Sequence, residues 1–172
     1  MKAIFLMVLI FITGCAGSRV SEMPVTKRAS HPVDLIALSP SGGLLAEAVG
    51  IELSNLGYSI VDSSATTSLL VRLNLDEFEL STPQGLQQLH SKGIDAYLTV
   101  KASGAYDQQV QSASARATST HTGEIIAGVT WQNGWGGQPG SIADRTMRKG
   151  VNEAAREIAE AISNALPRHK VD

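Results

Sequence analysis

Two sets of side chains have the types and spacing for hydrolytic chemistry, and neither completes a catalytic site. Asp76, Glu77 and Glu79 form a short acidic cluster, with Asp62 as a further partner. Carboxylates held some 5–9 Å apart can cleave glycosidic bonds, but a solvated loop is the better account of this cluster. Nucleophilic catalysis needs a hydroxyl beside an oriented base. The abundant serines include none in a Gly-x-Ser-x-Gly elbow. No catalytic residue is therefore assigned. His31, His90, His121 and His169 show no metal-ligand spacing; they read as surface residues, and neither metal nor cofactor is expected. Ser39-Pro40-Ser41-Gly42-Gly43 leads into a helix start, where free N–H groups can receive an anion. It lacks the lysine and spacing of a phosphate-binding loop, so a capped helix start is expected, with a small-anion site as a rival reading.

The segment Trp131-Gln132-Asn133-Gly134-Trp135-Gly136-Gly137 holds both tryptophans of an aromatic-poor chain. Tryptophan is over-represented among binding anchors. Trp135, Trp131 and Asn133 are accordingly the candidate partner-binding residues. For Trp131 a place in the core is favoured; for Trp135 an anchor and a cover for the last helix stand equal.

The start of the chain points to export. Lys2 precedes the apolar run Ala3–Ile12, which ends in Thr13-Gly14-Cys15. A cationic start, a short apolar stretch and a small-residue end make a secretory signal. The run is shorter than the roughly 20 residues that span a bilayer. Ile12-Thr13-Gly14-Cys15 resembles the bacterial lipobox, which implies cleavage before Cys15 and acylation of its thiol. Cys15 is the only cysteine, so an internal disulfide is impossible and lipidation explains an otherwise unpaired thiol. Ala16, rather than aspartate, follows it. By resemblance to enterobacterial sorting this implies the periplasmic face of the outer membrane. Residues 16–32 are rich in Gly, Ser and Pro without apolar periodicity and read as a tether. Its seventeen coil residues would reach roughly 25 Å.

The expected division is therefore a signal over 1–14, lipidated Cys15 and tether to 32, a domain over 33–166 and a tail over 167–172. The domain is long enough for one core. The formal charge is −2, and no Lys/Arg block interleaves with aromatics, which argues against nucleic acid as a partner.

The elements that must position these residues read as follows. Val33–Leu38 is an apolar strand. Ser41 caps a helix to about Leu56, closed by Gly57, and Tyr58–Asp62 is a second strand, expected to pair with the first in a parallel βαβ unit. Residues 66–80 fit either strand alternation or a helix, with the helix favoured. Thr82-Pro83 opens a helix ended by Gly93. Strands follow from Asp95 to about Tyr106, over 110–120 and over Ile125–Gln132, the last two joined by a hairpin turn at His121–Glu124. Ser141 caps a final helix whose stripe is Met147, Val151, Ala154, Ala155, Ile158 and Ile162. The fold class is α/β (α+β): one mixed sheet of about five strands, order β-α-β-α-α-β-β-β-α, with helices packed on it.

The opening strand, Leu56-Gly57-Tyr58, Ser59-Ile60-Val61-Asp62, Lys92-Gly93-Ile94-Asp95-Ala96 and Thr122-Gly123-Glu124 resemble one group across residues 33–165. It is the α/β domain shared by the curli-secretion lipoprotein CsgG, the amino-terminal domain of TolB and the penicillin-binding-protein activator LpoB. The resemblance implies a non-enzymatic envelope lipoprotein, held by acyl chains, that assembles with an envelope protein or with its own copies, in secretion, envelope integrity or regulation of cell-wall synthases. No long amphipathic hairpin insertion is present, which argues against a pore. The exposed edge of hairpin 110–132 is the expected docking surface. The alternative is an envelope hydrolase acting on cell-wall glycan or peptide.

Overall fold

The structure is a computed structural model, and it describes residues 17–23, 31–104, 110–134, 141–142 and 148–167. Its centre is one six-stranded mixed sheet in the order β1-β6-β5-β4-β2-β3. The strands are β1 Arg19–Glu22, β2 Leu35–Leu38, β3 Ser59–Val61, β4 Ala96–Ser103, β5 Ser112–Ser119 and β6 Ile125–Gln132. The helices are α1 Gly43–Asn55, α2 Ser63–Leu73, α3 Glu77–Leu80, α4 Pro83–His90 and α5 Val151–Ala165.

The expected βαβ unit is present, with β2 parallel to both β3 and β4. Gly57, at φ 96°, supplies the left-handed residue that ends α1. β4, β5 and β6 form an antiparallel meander, and its His121–Glu124 turn uses Gly123 at φ 73°. Alternation sorts the strand residues. Ile36, Leu38, Ala96, Leu98, Val100, Ala113, Ala115, Ala117, Val129 and Trp131 face α1 and α5 and make the main core. Ala37 and Tyr97 face the other way, packing with Leu70, Leu80, Leu86, Leu89 and Ile94 of the α2–α4 side. Those three helices cover only the β2–β4 side of that face.

Several expectations change. Arg19–Glu22, within the segment read as a tether, is the antiparallel edge strand β1 on β6, in the register Val20↔Trp131 and Ser21↔Thr130. Its pairing therefore takes away the free edge expected of hairpin 110–132: β6 is covered by β1, and β5 by β4. The sheet's outer strands are β1 and β3. Residues 66–80 are helical rather than extended, but in two pieces. Asn74, at φ 53°, ends α2, and Asp76 begins α3 with a capping box: its carboxylate accepts from Glu79 N at 2.7 Å, while Glu79 Oε2 accepts from Asp76 N at 2.9 Å.

Ser41 does not cap α1. It lies in a 3-10 turn, Pro40–Gly42, and Gly42 holds the N-cap position, because the Ser41 hydroxyl is engaged elsewhere. The last helix starts at Val151 after an extended Gly150, well beyond Ser141. Ala154, Ala155, Ile158 and Ile162 line its buried stripe; Met147 lies outside the described residues. Thr82 does cap α4, accepting from Gly85 N at 3.2 Å.

Candidate functional site

The half of the second sheet face left bare by α2–α4 forms a groove of about 720 Å³. Its floor follows from strand register. Thr99 and Lys101 of β4, Ser114 and Arg116 of β5, and Thr130 of β6 point outward because their alternate neighbours are buried against α1 and α5. Gly128 leaves room for Met23, which closes the β1 end; a Cβ there would come within 3.0 Å of Met23 Cε. The opposite wall is Ser39, Ser41, Glu77, Phe78 and Tyr97.

Glu77 organises this wall. Its Oε1 accepts from Ser41 Oγ at 2.5 Å, Ser39 Oγ at 2.7 Å and Ser41 N at 3.3 Å. The Ser41 hydroxyl, then that of Ser39, hold its carboxyl below the usual glutamate range, helped by the Ser41 amide and by the charge of Lys101, against partial burial. Burial pushes the Tyr97 phenol up, so it stays neutral. The turn before α1, for which a small-anion site is the rival reading to a capped helix start, already holds the chain's own Glu77 carboxylate. The acidic cluster is likewise spoken for. Asp76 and Glu79 cap α3, and Asp62 caps α2 by accepting from Ala65 N at 2.7 Å. A general acid or base works best with a pKa near the working pH, and the Glu77 shift runs the other way.

Because the folded-state pKa of Glu77 is depressed, its contribution to stability is present above the unfolded value and lost as pH falls through the lower folded value. The same sign applies to Glu157, where burial raises the pKa but hydrogen bonds from Lys149, Ser18 and Trp131 lower it further. Urea midpoints measured from pH 6 to pH 3 are expected to fall on acidification, and Glu77→Gln and Glu157→Gln are each expected to flatten that fall. An acid limb identical in both variants and the wild type would remove these carboxylates from the account.

The predicted binding residues separate. Trp131 is fully buried, with Nε1 donating to Glu157 Oε2 at 2.7 Å; a buried core residue is no surface anchor. Asn133 is an internal clamp. Its Nδ2 donates to Val110 O at 2.8 Å and Lys149 O at 2.9 Å, and its Oδ1 accepts from Lys149 N at 3.0 Å. Trp135 and Cys15 lie outside the described residues. Sequence spacing missed Lys101 and Arg116, whose convergence with Ser39 depends on the parallel pairing of β2 with β4 and on strand register. It also missed that His31, His90 and His121 gather at the opposite end of the sheet.

Among the described residues no helix is long and apolar enough to cross a membrane. No protein-family model matches the sequence, and no curated protein matches it. Solved structures do. A PelC variant dodecamer from Paraburkholderia phytofirmans is similar with TM-score 0.50 at 12% identity, covering 88% of this chain and 99% of that one. A second PelC dodecamer from the same organism gives TM-score 0.49 at 13% identity, with 88% and 99% covered. The lipoprotein GNA1162 from Neisseria meningitidis gives TM-score 0.44 at 19% identity, with 74% and 98% covered. The first of these likenesses shows a shared fold.

Proposed function

We propose that this chain is an envelope lipoprotein whose domain is a non-catalytic assembly subunit, docking against further copies of itself. The observation that carries this reading is a pair of adjoining grooves, of about 720 Å³ and about 520 Å³, that share Ser41 and Lys101 in their walls. Phe78 lines the first and is 80% exposed; Leu44 lines the second and is 70% exposed. Apolar side chains beside concave, partly charged surfaces suit a protein interface better than bulk water. A groove on one copy receiving a different surface of the next makes a head-to-tail contact, which closes into a ring when the rotation permits. The dodecameric state of PelC, with which the fold is shared, supports such an assembly.

Anchoring rests on the signal-like start and on Cys15. An acylated Cys15 at the periplasmic face of the outer membrane, and kinship with the CsgG, TolB and LpoB domains, belong to this same proposal. A hydrolase acting on cell-wall glycan would need a second carboxylate working with Glu77; Asp62, Asp76 and Glu79 serve as caps, and among the described residues Glu22 is the other carboxylate lining the groove.

Native mass spectrometry of the detergent-purified full chain is expected to show a closed oligomer with a diacylglyceryl mass on Cys15. Phe78→Asp and Leu44→Asp should weaken association by more than about tenfold. Both side chains are exposed, so unfolding should shift by no more than about 0.5 kcal/mol. A wild-type monomer at micromolar concentration would sink the assembly reading, and an unmodified sulfur at Cys15 would sink the anchor.

A further inference from the structure

Three histidines far apart in the sequence meet beyond the ends of β2 and β4. His31 stands just ahead of Pro32 and β2, His90 is the last residue of α4, and His121 sits in the β5–β6 turn. The ring centroids of His31 and His121 are 4.3 Å apart at 70°, and those of His90 and His121 are 4.9 Å apart at 64°. His121 Nδ1 lies 3.3 Å from His90 Nε2. The rings are exposed around a pocket of about 370 Å³ whose wall includes Asp34 and Asp95.

Each ring is held by a different part of the fold. His90 ends a helix whose exit is tied by Gly93 N donating to His90 O at 2.9 Å and Ile94 N donating to Leu89 O at 3.3 Å. His121 follows Thr120, whose amide and hydroxyl both donate to Asp95 O at 3.0 Å. The segment after His31 is fixed by Val33 N donating to Pro167 O at 3.0 Å. Asp95 Oδ2 accepts from the amides of Asp34 and Leu35, both at 2.9 Å, which sets that carboxylate in the pocket wall.

The nitrogen separation is informative. Two imidazole nitrogens bound at 2.0–2.1 Å with a tetrahedral angle lie about 3.3 Å apart. A hydrogen bond between His90 and His121 would explain that pair alone. It leaves unexplained the third imidazole against His121 and the two carboxylates in the same wall. Among the described residues no group of three or more His, Cys, Asp or Glu side chains is placed to hold a metal ion, so what the fold offers is a nitrogen pair with a third ring beside it.

We infer that His90 Nε2 and His121 Nδ1, with water in the remaining positions and the His31 ring beside them, form a binding site for a divalent transition ion of the class that imidazole prefers: zinc, nickel or copper. Asp34 and Asp95 supply negative charge around the cation. Bound there, the ion joins the entry to β2, the exit of α4 and the β5–β6 turn. It is a site distinct from the groove, and it stands or falls independently of self-assembly.

The test is calorimetric titration of tag-free full-length chain in detergent with zinc chloride, alongside thermal unfolding. One ion per chain is expected, with an unfolding midpoint that rises with zinc and returns on adding EDTA. Magnesium chloride, which favours oxygen ligands, should produce neither. His31→Ala, His90→Ala and His121→Ala should each weaken zinc by at least about tenfold. Their zinc-free midpoints should match the wild type, since the three side chains are exposed. An absence of binding heat and of any midpoint shift overturns the site. So does zinc affinity that survives unchanged in the His90→Ala/His121→Ala double variant.

Discussion

Trp131→Ala is expected to cost about 3–5 kcal/mol of stability, the range for truncating a large buried aromatic. The indole is fully buried in the β6 row that faces α5, between Val20 of β1 and Ala113 of β5 in register. Removing it opens a cavity beneath α5 and takes one donor from Glu157 Oε2. That carboxylate also accepts from Ser18 Oγ at 2.6 Å and pairs with Lys149. Trp131→Phe separates the two effects. It keeps most of the apolar area, so its cost should be nearer the 1–3 kcal/mol of a half-buried acceptor losing its partner. Urea unfolding with an unchanged slope reads both values. A Trp131→Ala cost below 1 kcal/mol would mean that the indole is not the keystone of this face.

Gly85→Ala should destabilise the fold even though helix propensity predicts the reverse. In an ordinary helix interior, alanine is better than glycine by about 1 kcal/mol. Here an added Cβ would meet Glu79 O at 2.1 Å, Glu79 C at 2.8 Å and Leu80 Cα at 2.9 Å. Those are backbone atoms, which cannot swing aside as a side chain would. α3 and α4 would have to separate, disturbing Leu80, Leu86 and Leu89 in the smaller core. Overpacking of this kind costs about 1–3 kcal/mol. Gln87→Ala, on the exposed face of the same helix, is the control and should be close to neutral. If Gly85→Ala raised the urea midpoint, the close approach of α3 to α4 would be wrong.

The parts legible in the sequence were those written in local signals. The β2–α1–β3 unit follows from two short apolar runs around a helix closed by Gly57. The α4 start follows from Thr82-Pro83, and the α5 stripe from its spacing of alanine and isoleucine. The misread parts were decided by distant partners. Ser41 has the side chain of an N-cap, but Glu77 claims its hydroxyl from across the fold. Arg19–Glu22 has no apolar run to announce a strand, and only the free edge of β6 makes it one. Residues 66–80 are helical, as favoured, and only the break at Asn74 was not announced, because a left-handed residue other than glycine is rarely anticipated. The histidines defeat any spacing rule, because the topology, rather than a motif, brings three separate loops together.

If Cys15 carries the proposed anchor, the strand at Arg19–Glu22 also sets how far the domain would stand from it. Ser18 is already held, its hydroxyl donating to Glu157 and accepting from Lys149 Nζ at 2.8 Å. With Cys15 as the acylated residue, only Ala16 and Gly17 intervene, a leash of about 10 Å at full stretch. That is well short of the reach a long coil would give. The sheet margin would then ride at headgroup depth, every molecule upright in the same sense, and neighbours would meet by diffusing in a plane instead of tumbling through a volume.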